Sequence, residues 1–356
     1  MIRIFDPVLP NKELVKQSID EIFETGLLTN FGKYCGLFED KIKELVGCKY
    51  AVAVTNCDTA LKLCISALEM SRVVLPTFTF NSTWMGVAWN GIKDIIVDVD
   101  PQTLLVDLNT IEEYAKTGVK DFLLVNVFGN LYDIDELNTL KNKYNLNILF
   151  DSAHSFGSTY KGKKSGNFGY TECFSFSATK VITSGEGGVI CTDDPKLYNK
   201  LKYMRNYGFQ LDYNSIYQGC NGKLTEMNSI VGYHSMNIFS DVLQNKKNNV
   251  NHMKERLKNK YSFQKLNPSV DSCYKDFILL DIDYEKVSKA LKDADIQHKK
   301  YFLPLHMQNI VKSARFWYKY KFPNAEIVYK NSVCIPAHAK LTSQEIDTIC
   351  EVLNAV

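Results

Sequence analysis

The chain has 356 residues, 45% of them hydrophobic and 23% charged, enough apolar material for a large core and for two domains. Its 42 Lys and Arg stand against 40 Asp and Glu, a formal charge of +2, which gives neither nucleic acid nor an anionic membrane surface an electrostatic claim on it. No apolar run approaches the roughly 20 residues that span a bilayer, and Met1–Asp6 is too short and too soon polar for a signal peptide, so a cytoplasmic protein is expected.

The first element is an amphipathic helix over Lys12–Thr25. From about residue 50 to 192 short apolar runs alternate with helical patterns. The strands are expected at Ala51–Val54, Val73–Leu75, Ile95–Val99, Phe122–Val127, Ile148–Asp151, Cys173–Phe176 and Gly188–Thr192. Helices are expected at Thr59–Glu69, Asn109–Lys116, Asp133–Lys143 and Lys196–Arg205. Strands rich in Val, Ile and Phe and separated by helices read as an α/β fold with a mostly parallel sheet sandwiched by helices. After about residue 240 the texture changes to a basic helical stretch, Lys246–Lys260, a strand at Asp276–Ile282, and helices at Glu285–Ala294 and Ser343–Leu353. These divide the chain into a large domain, 1–240, and a smaller C-terminal α/β domain, 241–356, with the Lys12–Thr25 helix packing on the smaller one. The ten cysteines show no CxxC spacing and read as buried free thiols; the six histidines show no metal-ligand spacing, so no metal is expected.

In a parallel sheet, ligands sit beyond the carboxyl ends of the strands. Three segments place chemistry there. Asp151 closes the strand Ile148–Asp151, and it could equally be an N-cap for the turn or helix after it. Lys180 ends Phe174-Ser-Phe-Ser-Ala-Thr-Lys180 and precedes a glycine-rich run through Gly188; the alternative is a solvated surface lysine. Thr55–Leu61 is a strand-to-helix turn whose free N–H groups suit a phosphate, although it lacks the glycines of a P-loop or dinucleotide fingerprint. Pyridoxal 5′-phosphate needs a lysine, a carboxylate for its ring nitrogen, a phosphate cup and a stacking aromatic, and the three segments supply the first three.

The segments resemble the DegT/DnrJ/EryC1/StrS family, the fold-type-I aminotransferases of sugar biosynthesis. The resemblance rests on Asp151-Ser-Ala-His154, Ser175-Phe-Ser-Ala-Thr-Lys180, Gly185-Glu-Gly-Gly188, Arg205-Asn-Tyr-Gly208 and Gly219–Glu226, and on the 180 − 151 = 29 residues between aspartate and lysine. It runs from Gly26–Gly32 through Phe38-Glu39 to Pro304-Leu-His306. It implies that Lys180 forms the Schiff base and that Asp151 pairs with the pyridine nitrogen. His154 would lie near the phenolic oxygen, or be a satisfied buried histidine; Phe80 would stack on the ring, or be core. The phosphate would be held by Cys57 and Asp58 N–H groups and by the Ser175 hydroxyl. Asn221 would reach it from the neighbouring subunit of a homodimer, or be a turn residue.

The sequence departs from the family pattern at Cys57-Asp58, where Gly-Thr is usual, at Ser177, often a histidine, and in a short loop before Val73. A lysine at 180, where dehydrating relatives carry histidine, favours transamination. The resemblance implies transfer of an amino group from L-glutamate to a nucleotide-linked 4-keto-6-deoxy sugar for surface polysaccharide or capsule. A small phosphorylated ketone such as dihydroxyacetone phosphate, giving serinol phosphate, is an alternative that the short loop and positions 57, 58 and 177 would favour. A non-catalytic regulator that binds the cofactor is a third. A nicotinamide dehydrogenase fails for want of a glycine-rich fingerprint.

Overall fold

The computed structural model describes residues 1–314 and 321–356. A seven-stranded sheet forms the centre, in the spatial order Tyr50–Val54, Gly188–Thr192, Thr171–Ser175, Asn147–Asp151, Asp121–Val125, Arg72–Pro76 and Lys93–Val97. All run parallel except Gly188–Thr192, which pairs antiparallel with both neighbours. The strands are buried almost end to end, as a sheet covered on both faces must be. Each expected strand is present within a few residues. The run ending at Val127 is shorter than its composition suggests: the strand stops at Val125, and Val127–Gly129 forms a 3₁₀ turn in which Phe128 takes a φ of +55°.

Helices cover the sheet, several opened by a side chain that accepts from their first free N–H groups: Asn56 before Cys57–Ala67, Asp133 before Ile134–Tyr144, Asp194 before Pro195–Met204. Lys33–Val46 is opened instead by the fully buried Glu226, whose carboxylate accepts from the Tyr34 and Cys35 N–H groups at 2.7 and 3.1 Å. Glu39 of that helix pairs with buried Arg205, which also donates to the Ala53 carbonyl at 2.8 Å. Two of the segments that carry the family resemblance, Phe38-Glu39 and Arg205–Gly208, therefore meet in a structural ion pair.

A second core surrounds a three-stranded antiparallel sheet of Ser262–Phe263, Phe277–Leu280 and Val333–Ile335. Alternation in Phe277–Leu280 serves two masters: Phe277 and Leu279 join Val250, Met253 and Leu353 in the second core, while Ile278 and Leu280 join the core of the large sheet. The helix Phe239–Leu257 begins in one cluster, with Phe239 and Val242, and ends in the other, with Val250, Met253 and Leu257. The N-terminus corrects one expectation. Ile2 enters the second core, but the Lys12–Thr25 helix turns away from it and packs on Glu226–Met236. There Ile22 meets Tyr34 and Ile230, and Ser18 hydrogen-bonds His234 at 2.8 Å. Its apolar stripe matches that buried helix and not the small sheet. Nine of the ten cysteines are buried thiols and only Cys220 is exposed. Among the described residues no helix is long and apolar enough to cross a membrane, and no cluster of His, Cys, Asp or Glu could hold a metal ion.

Candidate active site

The parallel strands aim their carboxyl ends at one cavity of about 400 Å³. Of the residues expected at the site, Cys57, Asp58, Phe80, Asp151, His154, Ser175 and Lys180 all line it, although 29 residues separate the aspartate from the lysine and more than 90 lie between Cys57 and Asp151.

Asp151 is buried at the end of its strand. One carboxylate oxygen accepts from Thr83 Oγ1 at 2.7 Å and the other from the Ala153 N–H at 3.2 Å, and no cation of the chain pairs with it among the described residues. Thr83 is itself held by Thr79 Oγ1 at 2.7 Å. Burial raises the carboxyl pKa, with the Thr83 hydrogen bond opposing the shift. A buried carboxylate in this state gains from a cationic partner in the cavity. Lys180 faces the same space from the other side. It is half-buried, and desolvation with the nearby Lys275 ammonium lowers its pKa to about 8. The surface-lysine alternative does not survive this placement.

The turn at Asn56 makes the third wall. Its side chain accepts from the Thr59 N–H at 2.8 Å, which leaves the Cys57 and Asp58 N–H groups without partners among the described residues at the positive end of an 11-residue helix. The Asp58 carboxylate would repel a phosphate, but Lys62 holds it at 2.6 Å. The glycine that this turn lacks in its own sequence is supplied by a neighbouring strand. Gly188 sits opposite both Val54 and Ser175, and a Cβ there would come within 2.4 Å of the Asn56 carbonyl carbon and 2.7 Å of Cys57 N. The Ser175 hydroxyl has no hydrogen-bond partner among the described residues.

His154 is buried, and its Nδ1 accepts from the Phe128 N–H at 3.3 Å, a bond that the left-handed backbone of Phe128 aims. Burial, with the Lys180 and Lys275 ammonium groups, drives its pKa well below the usual histidine value, so the ring is neutral and its proton resides on Nε2. The ring stacks on Phe128 and Phe302. Phe80 is 60% exposed, so it is not core; it precedes the Asn81–Trp89 helix at the mouth of the cavity. Asn221 lies outside the cavity, exposed in a bridge between residues 206 and 221, with Lys223 Nζ on its carbonyl oxygen at 2.8 Å.

Sequence reasoning missed the wall contributed by the C-terminal segment beside the small sheet: Lys275, Lys299, Tyr301 and Phe302. Lys275 is buried and pairs with Asp276 at 2.8 Å. Nothing in local spacing marks these residues, because they reach the site only through the packing of the two cores. The short loop before Val73 has no bearing on the cavity. Ser71 N–H bonds Asp121 at 2.8 Å, at the amino ends of the strands, so the loop lies at the edge of the sheet opposite the site. It lends no support to a small substrate.

The residues present fit pyridoxal phosphate: a buried carboxylate without a cation, an amine of lowered pKa, two free N–H groups at a helix start, an unpartnered hydroxyl beside them, and an accessible aromatic face.

A family model described as the DegT/DnrJ/EryC1/StrS aminotransferase family matches residues 11–354. The chain is 28% identical over 362 residues to the GDP-perosamine synthase of Escherichia coli O157:H7, covering 99% of this chain and 98% of the relative. It is 27% identical to the dTDP-4-amino-4,6-dideoxy-D-glucose transaminase of Shigella dysenteriae, covering 100% and 99%. Among solved structures, the sugar aminotransferase CalS13 of Micromonospora echinospora shares the fold with a TM-score of 0.92 at 22% identity, both chains covered in full.

Proposed function

The chain belongs to the DegT/DnrJ/EryC1/StrS aminotransferase family, and from that premise we propose that it transfers an amino group from L-glutamate to a nucleotide-linked 4-keto-6-deoxy sugar. It is a pyridoxal phosphate-dependent aminotransferase. The GDP-perosamine synthase and the dTDP-sugar transaminase, both aligned nearly end to end, support the nucleotide-sugar acceptor. The spore coat polysaccharide biosynthesis protein of Bacillus subtilis, 27% identical, supports a place in surface-polysaccharide assembly. The observation that carries the reading is the convergence of Asp151 and Lys180 on one cavity.

When bound, pyridoxal phosphate supplies the electron sink that stabilises charge on the substrate carbon and carries the amino group between substrates. In this reading Asp151 holds a proton on the ring nitrogen, and burial strengthens that charge-assisted bond. Thr83 and the Ala153 N–H fix the orientation of the carboxylate. With its pKa lowered to about 8 by burial and the Lys275 ammonium, the Lys180 amine gives up its proton more readily than an ordinary lysine, so it can take and return the proton at the substrate carbon. The Cys57 and Asp58 N–H groups and the Ser175 hydroxyl hold the phosphate, His154 holds its Nε2 proton toward the phenolic oxygen, and Phe80 covers the ring. Asn221, exposed and outside its own chain's cavity, serves the site of a partner in a homodimer located in the cytoplasm.

The test is a half-reaction screen. The enzyme is loaded with glutamate, 2-oxoglutarate is removed, and candidate ketones are added. A nucleotide-linked 4-keto sugar is expected to restore the absorption of the lysine-bound cofactor. Restoration by dihydroxyacetone phosphate alone, or by no ketone, would sink the reading.

A further inference from the structure

Lys299 stands at the seam between two cavities. The inner one holds Lys180 and Asp151; an outer one of about 420 Å³ opens past Phe80, Tyr301 and Phe302 to Leu303, Met307 and Ile310, and Lys299 lines both. Its backbone is fixed in the small domain, donating to the Cys334 carbonyl at 3.0 Å and accepting from the Cys334 N–H at 2.8 Å. Its ammonium lies 4.2 Å from the centroid of the Tyr301 ring and 5.4 Å from that of Phe5.

Like Lys180 and Lys300, Lys299 has no carboxylate in ion-pair distance among the described residues, and of the three it alone lines both cavities. Lys275 is paired with Asp276, and Asp58 with Lys62, whereas no carboxylate pairs with Lys299 among the described residues. Aromatic faces position a cation without neutralising it. Lys299 is exposed to solvent at the seam, and partial desolvation with the Lys275 ammonium lowers its pKa while the Asp276 carboxylate opposes the shift. A cation in that position gains most from an anion delivered by the ligand, in a cavity that the ligand itself desolvates.

We propose that Lys299 anchors a phosphate-type oxyanion of the amino acceptor at this seam. The ketone then lies inward, toward Lys180, and the remainder of the acceptor occupies the outer cavity. Glutamate has no use for that outer space, while a nucleotide-sized group fills it against the apolar side chains of Leu303, Met307 and Ile310. The inference rests on the phosphate-bearing acceptor of the proposed function and assigns the residue that recognises it.

The test compares wild type with Lys299→Gln and Lys299→Arg as cofactor-loaded enzymes. Inorganic pyrophosphate, a nucleoside diphosphate (dTDP and GDP in turn) and dihydroxyacetone phosphate are titrated by calorimetry, and KM is measured separately for glutamate and for the acceptor. We expect Lys299→Gln to weaken oxyanion binding by roughly tenfold or more and to raise the acceptor KM alike. Lys299→Arg should restore both, and the glutamate KM and the cofactor absorption should not move. Unchanged binding by Lys299→Gln, or a rise confined to the glutamate KM, overturns the assignment. If wild type ignores nucleoside diphosphates but binds dihydroxyacetone phosphate through Lys299, the anchor stands and the nucleotide reading falls. If nucleoside diphosphates bind equally well to Lys299→Gln, the reading stands and the anchor falls.

Discussion

Replacing Gly188 with alanine tests whether the phosphate cup is built by close approach of a strand to the Asn56 turn. The added Cβ would stand 2.4 Å from the Asn56 carbonyl carbon, against 3.4 Å for ordinary contact, so the turn must retreat by about 3.4 − 2.4 = 1.0 Å. Its neighbours are backbone atoms (the nearest is peptide carbon, the next its oxygen at 2.5 Å), so no flexible side chain can absorb the displacement. Overpacking of this kind costs about 1–3 kcal/mol, a drop of a few degrees in Tm. The same movement carries the Cys57 N–H about 1 Å from its place, which takes a hydrogen bond from roughly 2.9 Å to beyond bonding distance. Loss of one charge-assisted bond to phosphate is worth about 1.5–3 kcal/mol, or roughly 10- to 100-fold in cofactor affinity. The assay is titration of the purified apoenzyme with pyridoxal phosphate and, in parallel, with pyridoxal, which lacks the phosphate. Gly188→Ala should weaken the first and leave the second nearly unchanged. Equal loss for both ligands, or no loss for either, would refute the argument that Gly188 sets the cup.

Lys180→Ala should abolish the absorption of the lysine-bound cofactor, checked by spectrum after dialysis against pyridoxal phosphate. The rate at which apoenzyme captures pyridoxal should rise with pH through an inflection near 8, not near the usual lysine value of 10.5, because only the free amine attacks. Lys275→Gln should move that inflection upward by removing a cation that disfavours the charged form. Fully buried Glu172, held by Ser152, Ser165 and the Gly166 N–H, keeps its proton to about pH 7, whereas the unfolded chain releases it near 4.5. Its contribution to stability is therefore complete below pH 4.5 and is lost as pH rises through 7, by about 3 kcal/mol at most. Glu172→Gln should flatten that part of the profile in urea unfolding at pH 5 and pH 8. Mixing inactive Lys180→Ala with inactive Asn221→Ala should restore activity if Asn221 serves the partner's site, since each mixed dimer carries one intact centre.

All seven strands of the main sheet were legible because each is a short apolar run bounded by polar residues, buried on both faces. The helices Asn81–Trp89 and Glu226–Met236 were not, for the complementary reason. Glu226–Met236 is largely enclosed, with Ile230 and Met236 buried, while Asn81–Trp89 buries Trp84 and Val87 but exposes the apolar Trp89, so neither has a polar face to give a 3.6-residue period. Lys33–Val46 could have been found, since Tyr34, Phe38, Ile42 and Val46 recur every four residues on its buried face. At the site, the sheet side was readable because Asp151 and Ser175 close their strands and Lys180 lies five residues beyond Ser175 in the turn that follows. The opposite wall was not, because Lys275 and Lys299 owe their positions to contacts between cores more than 100 residues away in sequence. Gly188 lay within a segment singled out for its glycines, yet the reason it must be glycine appears only when its strand is set beside Tyr50–Val54.

The helix Phe239–Leu257 bears on how substrates enter. It is rooted in both cores, and its 19 residues contain neither proline nor glycine at which a bend could be localised. Moving the second core relative to the large sheet to widen the cavity would require breaking helical hydrogen bonds near the middle of this helix, around Lys246, whose ammonium is buried and bonded to the Ala337 carbonyl at 2.6 Å. Traffic through the cavity thus falls to its mouth, where the Phe80 ring is already open to solvent. Amide exchange in the centre of the helix should be as slow as global unfolding, while protection around Phe80 and Lys299 should rise when acceptor binds.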